Sequence, residues 1–337
     1  MYHCISRVVD RRFVFQEAER ERFRAIMRMQ EKFSGCRILS YCLMSNHIHL
    51  LVEVPPMPLD GISDAELLKR LSAIQTEAFV AVVAKELSDA RKAGNAALVA
   101  EIHARFTYRM HDLGEFMKTV LQRFTRWFNR THNRSGTLWE ERFRSVIVES
   151  GIAARTMAAY IDLNPVRAGM VSDPAAYRWS SYGEAVGGGP KGNGKKAREG
   201  LVRACMSHQG AGFEAEKWKE ISRVYRRAMG LALGRKNGSA TIEKSVVRPQ
   251  LNTAEALEAK ANGTVLPDLN IASMLRCRVR YFSDGAVIGS KAFVNEAYAG
   301  ARERFSAKRK DGARKLRGSA NPAAGVLWSA RDLRLRV

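Results

Sequence analysis

The sequence predicts an α+β fold, an antiparallel sheet with helices packed on it, followed by a mainly helical C-terminal extension. Three observations predict it. Short apolar, β-branched runs and long amphipathic stretches follow one another as strand, helix, strand, strand, helix, strand, helix through the first half. Two of those strands are only a few residues apart, which makes them an antiparallel hairpin. Beyond a Gly/Lys-rich stretch at 183–200, the remaining pattern is mostly of helical period. The strand order is that of a ferredoxin-like sheet, a fold that hosts many functions, so the site must decide between them.

Residues 2–9 read as the first strand. Residues 16–33 are helical, because Phe23, Ile26, Met27 and Phe33 make an apolar stripe among charges. Gly35 is placed to end that helix. Residues 37–43 form the second strand. The third is the run Met44-Ser45-Asn46-His47-Ile48-His49-Leu50-Leu51-Val52-Glu53-Val54, stopped by Pro55-Pro56. Residues 55–111 read as a helical insertion, broken in two at Gly94-Asn95. Residues 113–132 are a strongly amphipathic helix with the apolar stripe Met117, Val120, Leu121, Phe124 and Phe128. Arg123, Arg126 and Arg130 fall on another face of it. A turn at 133–136 leads to a strand at 145–149. A helix at 153–168 carries Tyr160 and Asn164, with Pro165 as a kink or a last turn. The stretch 183–200, and within it 186–200, reads as a flexible linker. Helices at 213–233, 252–261 and 290–304 and a strand at 276–282 follow. Arg302, Arg304, Lys308, Arg309, Lys310, Arg314, Lys315 and Arg317 make a dense basic tail.

A length of 337 residues allows two domains, with the first expected over 1–185 and a basic accessory region over 201–337. The net charge of +22 and isoelectric point near 10.2 call for a polyanionic partner, most simply nucleic acid. No apolar run approaches ~18 residues and no lipidation motif is present, so a membrane partner is not expected. The strand-like N-terminus leaves no room for a signal peptide. Five cysteines without a CxxC pair argue against a disulfide framework or zinc knuckle and fit a reducing, cytoplasmic setting.

The chemistry gathers at the third strand. Side chains alternate along a strand, so His47 and His49 share one face ~6–7 Å apart, while Ile48, Leu50, Val52 and Val54 share the other. Two neutral imidazoles so placed can hold one divalent ion. Tyr160 and Asn164 are i, i+4 neighbours ~6 Å apart along their helix. A helix crossing the sheet could bring Asn164 to the metal as an oxygen ligand and aim the Tyr160 hydroxyl at what the metal binds. Tyr177 and Tyr182 are weaker nucleophile candidates, since Ser181 and Val186 stand four positions on. A third histidine at position 51 would indicate a histidine-triad hydrolase, but Leu51 is there. His3, on the neighbouring strand, could reach the site.

These segments, in this order, resemble the single-tyrosine HUH transposases, and within them the REP-associated tyrosine transposases. The resemblance rests on Tyr2-His3 to Arg7, on Ser45 to Val52, and on Gly136-Thr137-Leu138-Trp139-Glu140-Glu141-Arg142-Phe143. It rests also on Tyr160-Ile161-Asp162-Leu163-Asn164-Pro165-Val166-Arg167-Ala168-Gly169 and Trp179-Ser180-Ser181-Tyr182. It covers roughly residues 1–185. It implies an HUH endonuclease core with His47, His49 and Asn164 as ligands of Mg²⁺ or Mn²⁺ and Tyr160 as the nucleophile. The activity implied is cutting of single-stranded DNA near a hairpin through a 5′-phosphotyrosine, leaving a 3′-hydroxyl, followed by strand transfer. Arg7, Arg123, Arg126, Arg130, Arg142 and Arg144 are the expected DNA contacts. Hairpin DNA is the implied partner, the nucleoid the implied place, and a homodimer is suggested. The rival reading is a domesticated protein that binds DNA or RNA hairpins without cutting.

Overall fold

The computed structural model describes residues 1–189, 192–206, 217–232, 280–304, 312–316 and 327–330. The chain divides into two compact units. One comprises residues 1–6, 39–51 and 144–337, the other 7–38 and 52–143.

The first unit is built on a seven-stranded sheet of order β2-β3-β1-β4-β5-β7-β6. Its strands are β1 (Tyr2–Arg7), β2 (Arg37–Leu43), β3 (His47–Glu53), β4 (Arg144–Val148), β5 (Val287–Gly289), β6 (Arg314–Lys315) and β7 (Trp328–Ala330). β2 and β3 are joined by a three-residue turn in which the Met44 N–H donates to the His47 carbonyl. β3 is thus an interior strand between β2 and β1. β1 and β4 run antiparallel, with His3 opposite Val146. β4 and β5 run parallel, and β7 is antiparallel to both β5 and β6. The sheet is mostly antiparallel and the fold α+β, as the strand pattern requires.

Helices α6 (Ile152–Asp162) and α7 (Asn164–Arg167) follow β4. Pro165 lies in the first turn of α7, where its missing N–H costs nothing, so the predicted helix breaks at Leu163 before the proline. Met157, Ala158 and Ile161 of α6 bury against Leu39, Leu51, Val146 and Val148 of the sheet.

Two expectations for the C-terminal half are corrected. Residues 186–200 are not a linker: α8 (Ser181–Gly187) and α9 (Gly192–Met206) pack together there. The glycines that suggested flexibility permit close approach instead, since a Cβ on Gly194 would collide with the Gly188 carbonyl. Ala197, Leu201, Val202 and Cys205 of α9 are core residues. Beside the C-terminal helices, β5, β6 and β7 extend the sheet. The strand expected at 276–282 is, where described, a short helix, α11 (Arg280–Ser283). The adjacent α10 (Trp218–Ala232) and α12 (Lys291–Ala299) match expected helices. The helix expected at 252–261 and the basic residues Lys308, Arg309, Lys310 and Arg317 lie outside the described residues.

The second unit holds α1 (Glu17–Ser34), α2 (Asp64–Leu71), α3 (Glu77–Lys92), α4 (Ala96–Thr107) and α5 (Leu113–Thr131). α1 packs on α5 around Phe15, Phe23, Phe124 and Trp139. Gly35 ends α1 at φ 74°, the left-handed conformation that glycine adopts without penalty. The insertion is three helices rather than two, with its own core of Leu67, Leu71, Val83, Leu87, Val99, Ile102 and Phe106. Ser63, Thr76 and Asn95 cap α2, α3 and α4 by accepting from the N–H groups of Glu66, Phe79 and Leu98. Thr76 marks the additional break.

Candidate metal and nucleophile site

Four of the chemically expressive side chains meet in the first unit, on the face of β1 and β3 that α6 covers. The His47 and His49 ring centroids are 4.9 Å apart, as the strand alternation predicts. Tyr160 comes up from α6, with its ring 6.0 Å from His49. His3, opposite Val146 on β1, stacks on His49 at 5.1 Å and lies 6.0 Å from Tyr160.

The hydrogen bonds fix the tautomers. The Phe282 carbonyl can only accept, so His3 Nδ1, 2.8 Å away, carries a proton and donates it. Burial pushes the His3 imidazole down to about 4, so it is neutral at pH 7. Its Nε2 therefore accepts, and His49 Nδ1, at 3.0 Å, must be the donor. That leaves the lone pair of His49 on Nε2, the arrangement metal-binding histidines use. His47 Nδ1 is held in the same way by Asn46 Oδ1 at 2.7 Å. Asn164 Nδ2 donates back to the Tyr160 and Ile161 carbonyls, at 3.1 and 3.3 Å, so Oδ1 is the atom of its amide with lone pairs to offer. Two imidazoles with Nε2 lone pairs and an amide oxygen are a donor set suited to Mn²⁺ or Mg²⁺. Among the described residues, no group of three or more His, Cys, Asp or Glu side chains could hold a metal ion.

Residues 1–75 match the family model "Transposase IS200 like". The match contains His3, His47 and His49 and bears out the resemblance on that segment. Tyr160 and Asn164 lie beyond it. No curated protein matches the chain. A solved structure described as "Structure of the REP associates tyrosine transposase bound to a REP hairpin" aligns over 57% of this chain and 82% of its own, at 12% identity and a TM-score of 0.35. So loose a superposition carries no weight for function.

The surroundings of Tyr160 were not legible in the sequence. The ring is 2% exposed. Phe282 stacks on it at 4.8 Å, and the Arg167 guanidinium lies 5.3 Å from its centroid. Arg167 stands within the tyrosine segment and could have been singled out by its i+7 spacing. Phe282 could not, since nothing local links positions so far apart. The alternative tyrosines are engaged elsewhere in the core: the Tyr177 hydroxyl donates to the Leu43 carbonyl, and the Tyr182 hydroxyl accepts from Arg226.

Of the six arginines expected on DNA, three are brought together in the second unit. Arg123, Arg126 and Arg130 line a single pocket of the second unit. Arg142 lies over the Phe143 ring at 5.7 Å, Arg7 ends β1, and Arg144 begins β4.

One buried acid beside the site has a consequence for stability. Asp162 accepts from the Tyr182 N–H at 2.9 Å and the Tyr225 hydroxyl at 2.8 Å. Burial nevertheless raises its carboxyl from 3.8 to about 7. A raised carboxyl stabilises most when protonated, so its contribution is lost as pH rises from 3.8 through about 7. His3 works in the opposite sense. Its lowered value makes its contribution complete above 6.5 and lost as pH falls toward about 4. The two offset each other between those limits. Asp162→Asn should unmask the His3 slope, so that the melting temperature of the variant rises between pH 4.5 and 6.5 more steeply than that of the wild type. Thermal melts across that range check it, and parallel curves would contradict the burial of a titrating Asp162.

Proposed function

We propose that this protein is a metal-dependent, single-tyrosine DNA strand transferase that cuts single-stranded DNA near a hairpin. The observation that carries the proposal is the meeting of His47, His49 and Tyr160 within ring distances of 4.9 to 6.0 Å, with tautomers that put a lone pair on His49 Nε2. The Tyr160 oxygen attacks a backbone phosphorus. The bond to the 3′ oxygen of the preceding nucleotide breaks, and its DNA is released as a 3′-hydroxyl. The 5′-phosphotyrosine keeps the energy of the broken linkage, so rejoining by the reverse attack needs no nucleotide. Mg²⁺ or Mn²⁺ on His47, His49 and Asn164 would supply polarisation of the non-bridging oxygens. The phenolic proton ends on the departing 3′ oxygen, and the positive charge of Arg167 over the ring offsets negative charge that develops on the attacking oxygen. His3 keeps His49 in the coordinating tautomer. Arg7, Arg123, Arg126, Arg130, Arg142 and Arg144 contact DNA phosphates, and a homodimer working in the nucleoid is part of the same reading.

Burial of Tyr160 under Phe282 favours a second reading, a hairpin-binding protein that does not cut. The two separate in one experiment. The full chain is incubated with hairpin-bearing single-stranded DNA and Mn²⁺, then run on a denaturing gel. A retarded protein–DNA band supports strand transfer, and binding without that band supports the second reading. Among the described residues no helix is long and apolar enough to cross a membrane.

A further inference from the structure

The second unit carries a pocket between α1 and α5 that the cleavage chemistry does not use. Arg22, Ile26 and Met29 of α1 and Arg123, Arg126, Trp127 and Arg130 of α5 line it. Its volume is about 250 Å³, the scale of one planar group rather than a drug-sized molecule, for which pockets begin near ~300 Å³. Ile26 is buried and forms part of the floor, while Trp127 and Met29 are half-buried. The Arg22 guanidinium stands over the Trp127 ring, 5.9 Å from its centroid and within cation–π range.

Four positive charges converge here, and among the described residues no carboxylate forms an ion pair with any of them. The acids of α1 that could answer them are engaged elsewhere. Glu21 pairs with Arg24 and Glu31 with Arg28, while Glu19 receives His132 and the Gln16 N–H. Glu115 of α5 pairs with Lys118 at the far end of the helix. Burial and the charges of Arg109, Arg126 and Arg22 hold the Arg123 guanidinium below its usual value. Guanidinium groups held close together without counter-charges are costly in the isolated chain and favourable beside a polyanion. The half-buried indole is the second element. A phosphate-only surface needs no aromatic ring, whereas an unpaired base stacks on one whatever its identity.

We propose that this pocket binds an unpaired nucleotide of single-stranded DNA, with the base against Trp127 and the flanking phosphates on Arg22, Arg123, Arg126 and Arg130. The proposal rests on the DNA-binding reading and deepens it. These arginines then distinguish unpaired from paired strands instead of coating a duplex uniformly.

The test uses the full chain, with fluorescence anisotropy over a salt series and two probes. One is an oligodeoxythymidylate of about 15 nucleotides, the other a blunt duplex of about the same length. Trp127→Leu keeps an apolar side chain but removes the stacking face. It should weaken oligodeoxythymidylate binding about fivefold or more, leave the salt slope unchanged, and leave duplex affinity within about twofold. Arg126→Ala with Arg130→Ala alters only side chains at the pocket mouth, so it reports on the pocket even if Trp127→Leu folds poorly. It should reduce the single-strand salt slope by about 1.4, or ~0.7 for each phosphate that is no longer neutralised. Equal weakening of both probes by Trp127→Leu, no weakening at all, or an unchanged salt slope in the double variant overturns the proposal. Wild-type protein that binds neither probe overturns the DNA reading itself. Loss of cleavage without loss of single-strand preference removes only the strand-transfer reading.

Discussion

Tyr160→Phe should lose covalent adduct formation entirely while binding hairpin DNA as tightly as the wild type. The substitution deletes one oxygen and keeps the ring, so the stacking on Phe282 and the edge contacts to His3 and His49 survive. Of the three candidate tyrosines, Tyr160 is the one whose ring stands beside the histidines, while the Tyr177 and Tyr182 hydroxyls bond the Leu43 carbonyl and Arg226. Phosphate contacts made by arginine do not involve the Tyr160 oxygen. If Tyr160 were only a packed core aromatic, Phe would be silent in the cleavage assay. A denaturing gel with hairpin-bearing single-stranded DNA and Mn²⁺, alongside a binding titration on the same preparation, reads both properties.

His47→Ala is the second large effect. Because His47 and His49 flank one position on β3, removing either imidazole leaves one strand-borne ligand. Cleavage should fall to background, and DNA affinity should stay within a few-fold because a neutral imidazole carries no charge to the phosphates. His3→Ala is milder. It takes away the acceptor that keeps the His49 proton on Nδ1, and loss of such an orienting partner costs about 10–100-fold in metal affinity. Asn164→Ala should lower activity and be partly rescued by excess Mn²⁺. Isothermal titration with Mn²⁺ ranks the variants. Wild-type cleavage by His47→Ala, or Mn²⁺ affinity unchanged in His3→Ala, would rule out the proposed ligand set.

The histidine pair was legible because strand alternation is strict: His47 and His49 had to share a face once β3 was recognised between Asn46 and Pro55. The amphipathic α1 and α5 were legible for the analogous reason at helical period. The strands β5, β6 and β7 were not, since two or three residues carry no periodicity, and they form where the edge of β4 offers unpaired backbone groups. The start of α9, within 186–200, was misread because glycine signals both flexibility and close packing, and only the neighbouring Gly188 carbonyl tells which. His3 could be placed near the site, but its partner Phe282 is 279 positions away and has no local signature. Arg22 escaped notice because its significance lies across the helix pair, over Trp127, rather than in its own turn.

The central claim is that the Tyr160 oxygen becomes bonded to DNA. The direct measurement is tryptic peptide mapping, by mass spectrometry, of the full chain after reaction with hairpin-bearing single-stranded DNA and nuclease trimming. The account predicts nucleotide mass on the peptide spanning 156–167, which holds Tyr160 as its single tyrosine. Nucleotide mass on the 168–178 peptide with Tyr177, on the 179–191 peptide with Tyr182, or on no peptide at all would contradict it.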